Sequence, residues 1–349
     1  MANWDNIEII IGGESVKAQA PVIVSASRST DIPAFYSDWF FHRLREGFSS
    51  WTNPFNGIKM YVSYAKTRFV VFWSKNPYPL LKHLDELKAM GLKCYIQFSL
   101  NDYEDEGLEK RVPPLKQRIK TFKLLVDKLG KGSVIWRFDP LVLTDKITID
   151  GLLGKIENIG DQLFGYTEKL VYSFVDISSY RKVKSNLQLN GVNYEEWTNE
   201  KMCEFSTRLV ALNKRKGWNY ELATCGEEGR YDGVVPNHCI DYSLIVKLAH
   251  DDEELMKYIG ANIKNRTSNL FGELEEIPTN AIELPDGRYV VRDKGQRIAC
   301  GCMKSKDIGQ YDTCIHECEY CYANTNKRTA RANYEYHKKN PLAETINGK

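Results

Sequence analysis

Three cysteines fall within eight residues near the C-terminus: Cys314, Cys318 and Cys321, with His316 and Tyr320 between them. A tight turn can bring three such thiolates to one metal centre. In an iron–sulfur cluster the thiolates bind the irons. Three cysteines therefore leave one iron of a 4Fe–4S cluster open, on a redox-active metal where a ligand can bind and be reduced. Zinc held by the three cysteines and His316 is the competing reading, since Cys3His is a common structural set. The usual zinc pattern is two separated pairs, so the spacing favours the cluster. Disulfides fit poorly. The chain has nine cysteines, an odd number crowded towards one end, and its first twenty residues lack a basic stretch ahead of an apolar one. That combination reads as a protein of the reducing cytoplasm.

Four more cysteines form a second candidate set. Cys225 is expected at the end of a strand, Cys239 follows, and Cys300 and Cys302 flank a glycine that allows a tight backbone. Four thiolates would saturate a second iron–sulfur cluster or a zinc site. Ordinary buried thiols are the bland alternative for Cys225 and Cys239, and Cys94 and Cys203 are read as core residues. His238 and His316 flank cysteines and are read as supporting groups rather than ligands. Ser27, Arg28, Ser29, Thr30 and Asp31 could cradle an anion with Arg28 as charge partner, while Asp31 also suits a helix N-cap.

These groups need elements to position them. Six short apolar, β-branched or aromatic runs recur, at 21–27, 68–74, 93–100, 133–140, 169–176 and 220–226. Helical patterns separate them. Leu80, Leu81, Leu84 and Leu87 form a stripe ending at Gly91, and Leu115, Ile119, Phe122, Leu125, Val126 and Leu129 form another ending at Gly130. Residues 33–46, 148–163 and 195–216 repeat the signal. Strand alternating with helix six times predicts an α/β fold with a parallel sheet. We read it as a partial (βα)6 TIM-like barrel over residues 1–250. An irregular segment would follow at 251–299, then a cysteine-rich cluster-binding segment at 300–326 and a polar basic tail at 327–349, expected to be frayed or solvated. Polar residues gather where the strands stop: Ser25 and Ser27; Ser74, Lys75 and Asn76; Gln97 and Ser99; Arg137 and Asp139; Ser173 and Asp176; Thr224 and Glu227. In a barrel, strand C-termini form the mouth that holds the chemistry.

The Cys-x3-Cys-x2-Cys spacing, with an aromatic residue just before the third cysteine, resembles the signature of the radical SAM superfamily. The chain as a whole resembles a bacterial family catalogued as a domain of unknown function, with such cysteines at its C-terminus. The stretches that carry this are 25–47, 53–55, 71–77, 134–143, 173–176 and 300–324. The resemblance implies that Cys314, Cys318 and Cys321 hold a 4Fe–4S cluster. Its fourth iron would chelate S-adenosylmethionine (SAM), and Tyr320 would approach the adenine. Reductive cleavage would yield a 5′-deoxyadenosyl radical that takes a hydrogen atom from an unknown substrate, with an electron donor such as a flavodoxin or ferredoxin. From strand position, Lys75 and Asn76 would contact the amino group of SAM, and Arg137 and Asp139 its carboxylate or ribose. The superfamily normally carries its motif near the N-terminus, after the first strand; here it follows all six strand–helix units. The triplet Gly12, Gly13, Glu14 matches another superfamily feature but precedes the first strand, and is read as coincidence.

Composition narrows the field. At 42% hydrophobic residues the chain can bury a core, and no apolar run approaches the roughly 18 residues of a membrane span. A net charge of +2 gives no electrostatic case for nucleic acid or lipid. Two other classes stay open: a metal-stabilised nucleic-acid-binding module, and a metal-independent hydrolase using Asp139, Asp176, Glu227 and Glu228 as acid and base.

Overall fold

A computed structural model describes residues 4–53, 56–227, 229–260, 281–283, 289–291 and 300–349. Pro54, Phe55, Glu228 and most of 261–299 lie outside the described residues, and with them much of the segment read as irregular. All six apolar runs are strands: β1 (Ile23–Ala26), β2 (Phe69–Ser74), β3 (Lys93–Ser99), β4 (Val134–Leu141), β5 (Lys169–Phe174) and β6 (Glu221–Thr224). Two short strands extend the sheet, β7 (Val235–Pro236) and β8 (Lys306–Asp307). The order is β7-β6-β5-β4-β3-β2-β1-β8, and every neighbouring pair is parallel. The fold is thus mixed α/β around a parallel eight-stranded sheet. The sheet is open, with β7 and β8 as its edges.

Side-chain alternation gives the sheet two buried faces. Val24, Phe72, Ile96, Trp136, Tyr172 and Leu222 point outward into a core shared with the helices. These are α1 (Ile32–Phe35), α2 (Ser37–Glu46), α3 (Leu84–Ala89, after a 3-10 turn at Tyr78–His83), α4 (Leu115–Leu129), α5 (Ile149–Leu163), α6 (Arg181–Leu189) and α7 (Asn199–Lys216). Their ends follow local chemistry. Thr148 and Thr198 cap α5 and α7 by accepting from Gly151 and Lys201, and Gly217 ends α7 in the left-handed region. Ile23, Phe69, Val71, Tyr95, Ile135, Val171 and Ala223 point to the other face and meet in one cluster. Residues at the C-terminal ends of β1 through β6 also line one cavity, so the sheet is curled about this face. Helices α8 (Tyr242–Ala249) and α9 (Glu253–Tyr258) close the bottom of this trough with Ile245, Leu255 and Met256. The edges approach each other, since the Met303 N–H donates to the Ile240 carbonyl at 3.1 Å.

Three features depart from the sequence reading. A four-stranded sheet precedes and flanks α2, formed by Asn6–Ile11, Glu14–Gln19, Lys59–Ser63 and Phe48–Thr52 in that order. Gly12 and Gly13 make its first hairpin turn with φ of 59° and 89°, so the triplet that begins there has a local structural purpose. The tail is not frayed. Residues Lys327–Lys339 form α10, and beyond it Thr345, Ile346 and Asn347 are buried. Trp39 Nε1 donates to the Ala343 carbonyl at 2.8 Å, fixing this end to α2. Cys94 is buried as expected, but Cys203 is exposed on α7.

Candidate functional site: a cysteine-walled cavity

Above the apolar floor, the inward positions of the strands turn polar towards their C-terminal ends. Ser27, Trp73, Lys75, Ser99, Arg137, Asp139, Ser173 and Cys225 all line one cavity of about 460 Å³. Seven of the nine cysteines lie on its wall: Cys314, Cys318 and Cys321 with Cys225, Cys239, Cys300 and Cys302. Sequence reasoning treated these as two sets; the fold brings both to one hollow.

The loop carrying Cys314, Cys318 and Cys321 is strapped down at almost every other residue. His316 Nε2 meets Asp31 Oδ2 at 2.7 Å, and Asp31 also accepts from Ser74 Oγ at 2.7 Å, the Lys75 N–H at 2.8 Å and the Ala34 N–H at 2.9 Å. One carboxylate thus caps α1 and joins the ends of β1 and β2 to the cysteine loop. Glu317 is held by Arg331 at 2.6 Å and Arg111 at 3.3 Å. Glu319 is held by Lys327 at 2.6 Å and Lys110 at 2.8 Å. Tyr36 OH donates to the Thr313 carbonyl at 2.6 Å and Asn324 Nδ2 to the Cys314 carbonyl at 2.7 Å. The polar side chains are tied into the protein, and the thiols face the cavity. Burial pushes the thiols of Cys314, Cys318 and Cys321 up, so without a metal they are protonated at neutral pH.

Tyr320 lines the cavity, with its hydroxyl inside a buried network. It donates to Glu109 Oε1 and receives from Lys75 Nζ at 2.9 Å and Asn101 Nδ2 at 3.1 Å. Lys75 pairs with Glu109 at 2.8 Å and lies 5.2 Å from the centre of the Tyr320 ring. Burial would raise the Glu109 carboxyl, yet Lys75 and Arg118 hold it down to about 2. An ammonium has three donors and no acceptor. Lys75 therefore cannot receive an amino group, and its charge suits a carboxylate or a thiolate such as that of Cys318. Asn76 is not among the lining residues; its N–H is turned to Ser74 Oγ at 2.9 Å.

The loop after β1 does cradle an anion, but one from this chain. Asp307 on β8 accepts from Ser27 Oγ at 2.8 Å, Ser29 Oγ at 3.2 Å, the Arg28 N–H at 2.8 Å and the Gly309 N–H at 2.9 Å. A Cβ on Gly309 would fall 1.9 Å from Ser27 Oγ, so only glycine allows this approach. Arg28 then stacks 5.8 Å from the Trp73 ring at the cavity wall. Thr30 lies in that wall too, but its Oγ1 is buried without a hydrogen-bond partner. Arg137 and Asp139 hold each other, with Nε to Oδ2 at 2.9 Å, and Ser173 donates to Asp139.

The second cysteine set is a connected chain of sulfurs. Cys225 and Cys239 are 3.2 Å apart, Cys300 and Cys302 are 2.8 Å apart, and the Cys239 N–H donates to Cys302 Sγ at 3.1 Å. Hydrogen bonds from Cys225 and Cys302, against burial and with help from Arg137 and Arg28, draw Cys239 well below the ordinary thiol range. Its partner Cys225 is driven up by the same contact. Cys300 is drawn down to about 7, chiefly by its bond with Cys302. Among the described residues, no three His, Cys, Asp or Glu side chains are arranged to hold a metal ion. A mononuclear ion needs donors about 2.3 Å from one point. A cluster offers thiolates different irons, and so calls for a wider donor set lining a hollow. Cys314, Cys318 and Cys321 line the hollow as the second demand requires, whereas the sulfurs of the second set touch in pairs, closer than thiolates on separate irons stand.

Sequence reasoning missed Glu109, Asn101 and Asp307. Glu109 and Asn101 sit in connecting segments without a motif. Asp307 stands in a stretch already singled out for its cysteines, and only the pairing of β8 with β1 reveals its purpose.

Fold and site together define a parallel α/β protein whose chemistry-bearing residues line a cysteine-walled cavity at the strand C-termini. The chain belongs to the family described as a domain of unknown function, DUF1848, which matches residues 23–323. No curated protein and no solved structure matches it.

Proposed function

We propose that this protein is a radical SAM enzyme of the cytoplasm, built on a curled sheet that acts as a partial (βα)6 barrel. One observation carries the reading: three thiols on a loop strapped to the fold at Asp31, Arg111, Lys110, Lys327 and Arg331 line the walled cavity at the strand ends. Cys314, Cys318 and Cys321 would hold a 4Fe–4S cluster. With S-adenosylmethionine on its open iron, such a cluster supplies one-electron cleavage of the sulfonium and a 5′-deoxyadenosyl radical that abstracts hydrogen from substrate; a flavodoxin or ferredoxin would supply the electron.

The chain's own residues do the rest. Lys75 places a fixed positive charge beside Cys318 and the cavity, where it offsets thiolate charge and can receive a carboxylate. Glu109 keeps that ammonium and the Tyr320 hydroxyl in place, which leaves the ring as a fixed wall for a planar base. The curled sheet, with α8 and α9 beneath, excludes water from one side of the site, as reactive intermediates require. Two cations of the basic tail, Lys327 and Arg331, are paired with Glu319 and Glu317, which weakens the nucleic-acid reading. The hydrolase reading loses Asp139, which is bound to Arg137 and Ser173.

The test is an anaerobic assay of the reduced protein with S-adenosylmethionine. We expect 5′-deoxyadenosine from the wild type and none from Cys318→Ala. Wild-type protein that carries a reduced cluster yet releases no 5′-deoxyadenosine overturns the proposal.

A further inference from the structure

We propose that Cys225 and Cys239 form a redox-active dithiol, which exchanges with a low-molecular-weight disulfide entering the cavity and closes into an intramolecular bridge. Two strand ends bring the thiols together. Cys225 directly follows β6, and Cys239 comes just after the edge strand β7. Their Sγ atoms stand 3.2 Å apart, close enough for one S–H to bond the other and for a small side-chain rotation to join them. Both line the cavity; Cys225 is half-buried and Cys239 buried. A pair of this kind in a reducing compartment rests as the dithiol, and its disulfide is transient.

The surroundings favour charge on one sulfur of the pair. Arg137 Nη1 and Asn237 Nδ2 each donate to Cys239 Sγ at 3.6 Å, and both residues are buried, with 3% exposed. Cys302 helps to position the pair, its Sγ accepting from the Cys239 N–H at 3.1 Å. The attacking species in disulfide exchange is the thiolate. Cys239 is the sulfur drawn below the ordinary thiol range, while its contact with Cys239 and burial drive Cys225 up. A thiolate attacker and a protonated resolving thiol thus stand side by side. The Cys239 thiolate attacks one sulfur of the disulfide RSSR, forming a mixed disulfide and expelling RS⁻. Cys225 gives its proton to that RS⁻ and attacks Cys239 Sγ, which breaks the mixed bond and releases a second RS⁻. The proton that Cys239 had given to solvent returns to it. Two protein thiols are oxidised to one disulfide, and RSSR is reduced to two RSH. The bridge would pin β7, which pairs with β6 only through Ala223 with Val235 and Thr224 with Pro236.

This exchange is independent of the radical SAM reading, and its test reads neither iron nor S-adenosylmethionine. Reduced full-length protein is treated anaerobically with hydroxyethyl disulfide, quenched in acid, denatured, alkylated with iodoacetamide and mapped by peptide mass. Cleavage after Arg230 puts the two cysteines on different peptides, so a bridge is seen as a linked pair. We expect Cys225 and Cys239 to lose labelling together and to appear linked to each other, and dithiothreitol to restore both. Cys225→Ser, which has no resolving thiol, should instead hold one mercaptoethanol unit on Cys239. Full labelling of both cysteines in the treated wild type, a link from either to a different cysteine, or an unmodified Cys239 in folded Cys225→Ser would each overturn the proposal. Should that variant not fold, the wild-type map decides alone.

Discussion

Glu109 offers the sharpest energetic test of the site. Its carboxylate is fully buried between Lys75 at 2.8 Å and Arg118 at 3.8 Å, and accepts from Tyr320 and Asn101. The folded protein holds its pKa at about 2, against an ordinary 4.5. A drop of about 2.5 units at 1.36 kcal/mol each corresponds to about 3 kcal/mol of stability from the ionised form. Breaking a buried pair by removing one partner costs about 3–5 kcal/mol, which agrees. Because the folded pKa is the lower one, this contribution is complete above about 4.5 and disappears as pH falls towards about 2. Glu109→Gln should mimic the protonated side chain at every pH. Urea unfolding of both proteins should therefore differ by about 3 kcal/mol at pH 7, and the difference should shrink towards zero at low pH. With 349 residues unfolding with about 0.7 kcal/mol/K of entropy, the same loss lowers the melting temperature by about 4 °C. A difference that stays constant from pH 7 to the acid limit would show that the Lys75–Glu109–Arg118 charges do not stabilise the fold as argued.

Two further substitutions probe the positioning of the cysteine loop. His316→Ala deletes the buried contact with Asp31 and should cost about 1.5–3 kcal/mol in urea unfolding, while iron incorporation falls with the loosened loop; full stability and full iron would mean the strap is idle. Gly309→Ala puts a methyl 1.9 Å from Ser27 Oγ and must displace Asp307 from its cradle, so it should destabilise by about 1–3 kcal/mol and weaken β8 pairing; amide exchange on the Ile308 N–H, which donates to Ser25, would report an unaltered pairing if the clash were relieved elsewhere.

The main sheet is legible in the sequence because its strands are buried on both faces, so each reads as an apolar run, with polar residues gathered at its mouth end and a single charge at the start of three, Lys93, Lys169 and Glu221. Arg137 and Asp139, inside such a run, mark the strand end that opens into the cavity. The flanking sheet is not legible: Glu14–Gln19 contains a serine, a lysine and a glutamine, and its pairing with Lys59–Ser63 joins segments more than forty residues apart. The tail misleads for a related reason. Its lysines and arginines are largely solvated, Arg331 at 56%, yet the tail is ordered, because Arg331 and Lys327 pair with Glu317 and Glu319, which no local pattern connects. Strand position places Lys75 at the site but not its role, because its partner Glu109 carries no motif.

The position of β8 decides where the C-terminal cysteine loop lies in space. Beginning at the β8 edge, the strands run β8-β1-β2-β3-β4-β5-β6-β7, sequential except that the last strand in the chain stands first. Its C-terminal end leads within seven residues, from Asp307 to Cys314, into the cysteine loop. In space, therefore, the loop follows an edge strand of the parallel sheet and opens onto the strand C-termini. A short edge strand with two paired residues could not hold that position by its ladder alone. The Asp307 cradle, the Ser25–Ser305 hydroxyl contact at 2.7 Å and the His316–Asp31 bond supply the registration that chain continuity would otherwise give. If that reasoning holds, Asp307→Ala should loosen the cysteine loop as much as a change within the loop itself, although Asp307 is no ligand: iron incorporation should fall to the level of His316→Ala, and an undiminished iron content would refute it.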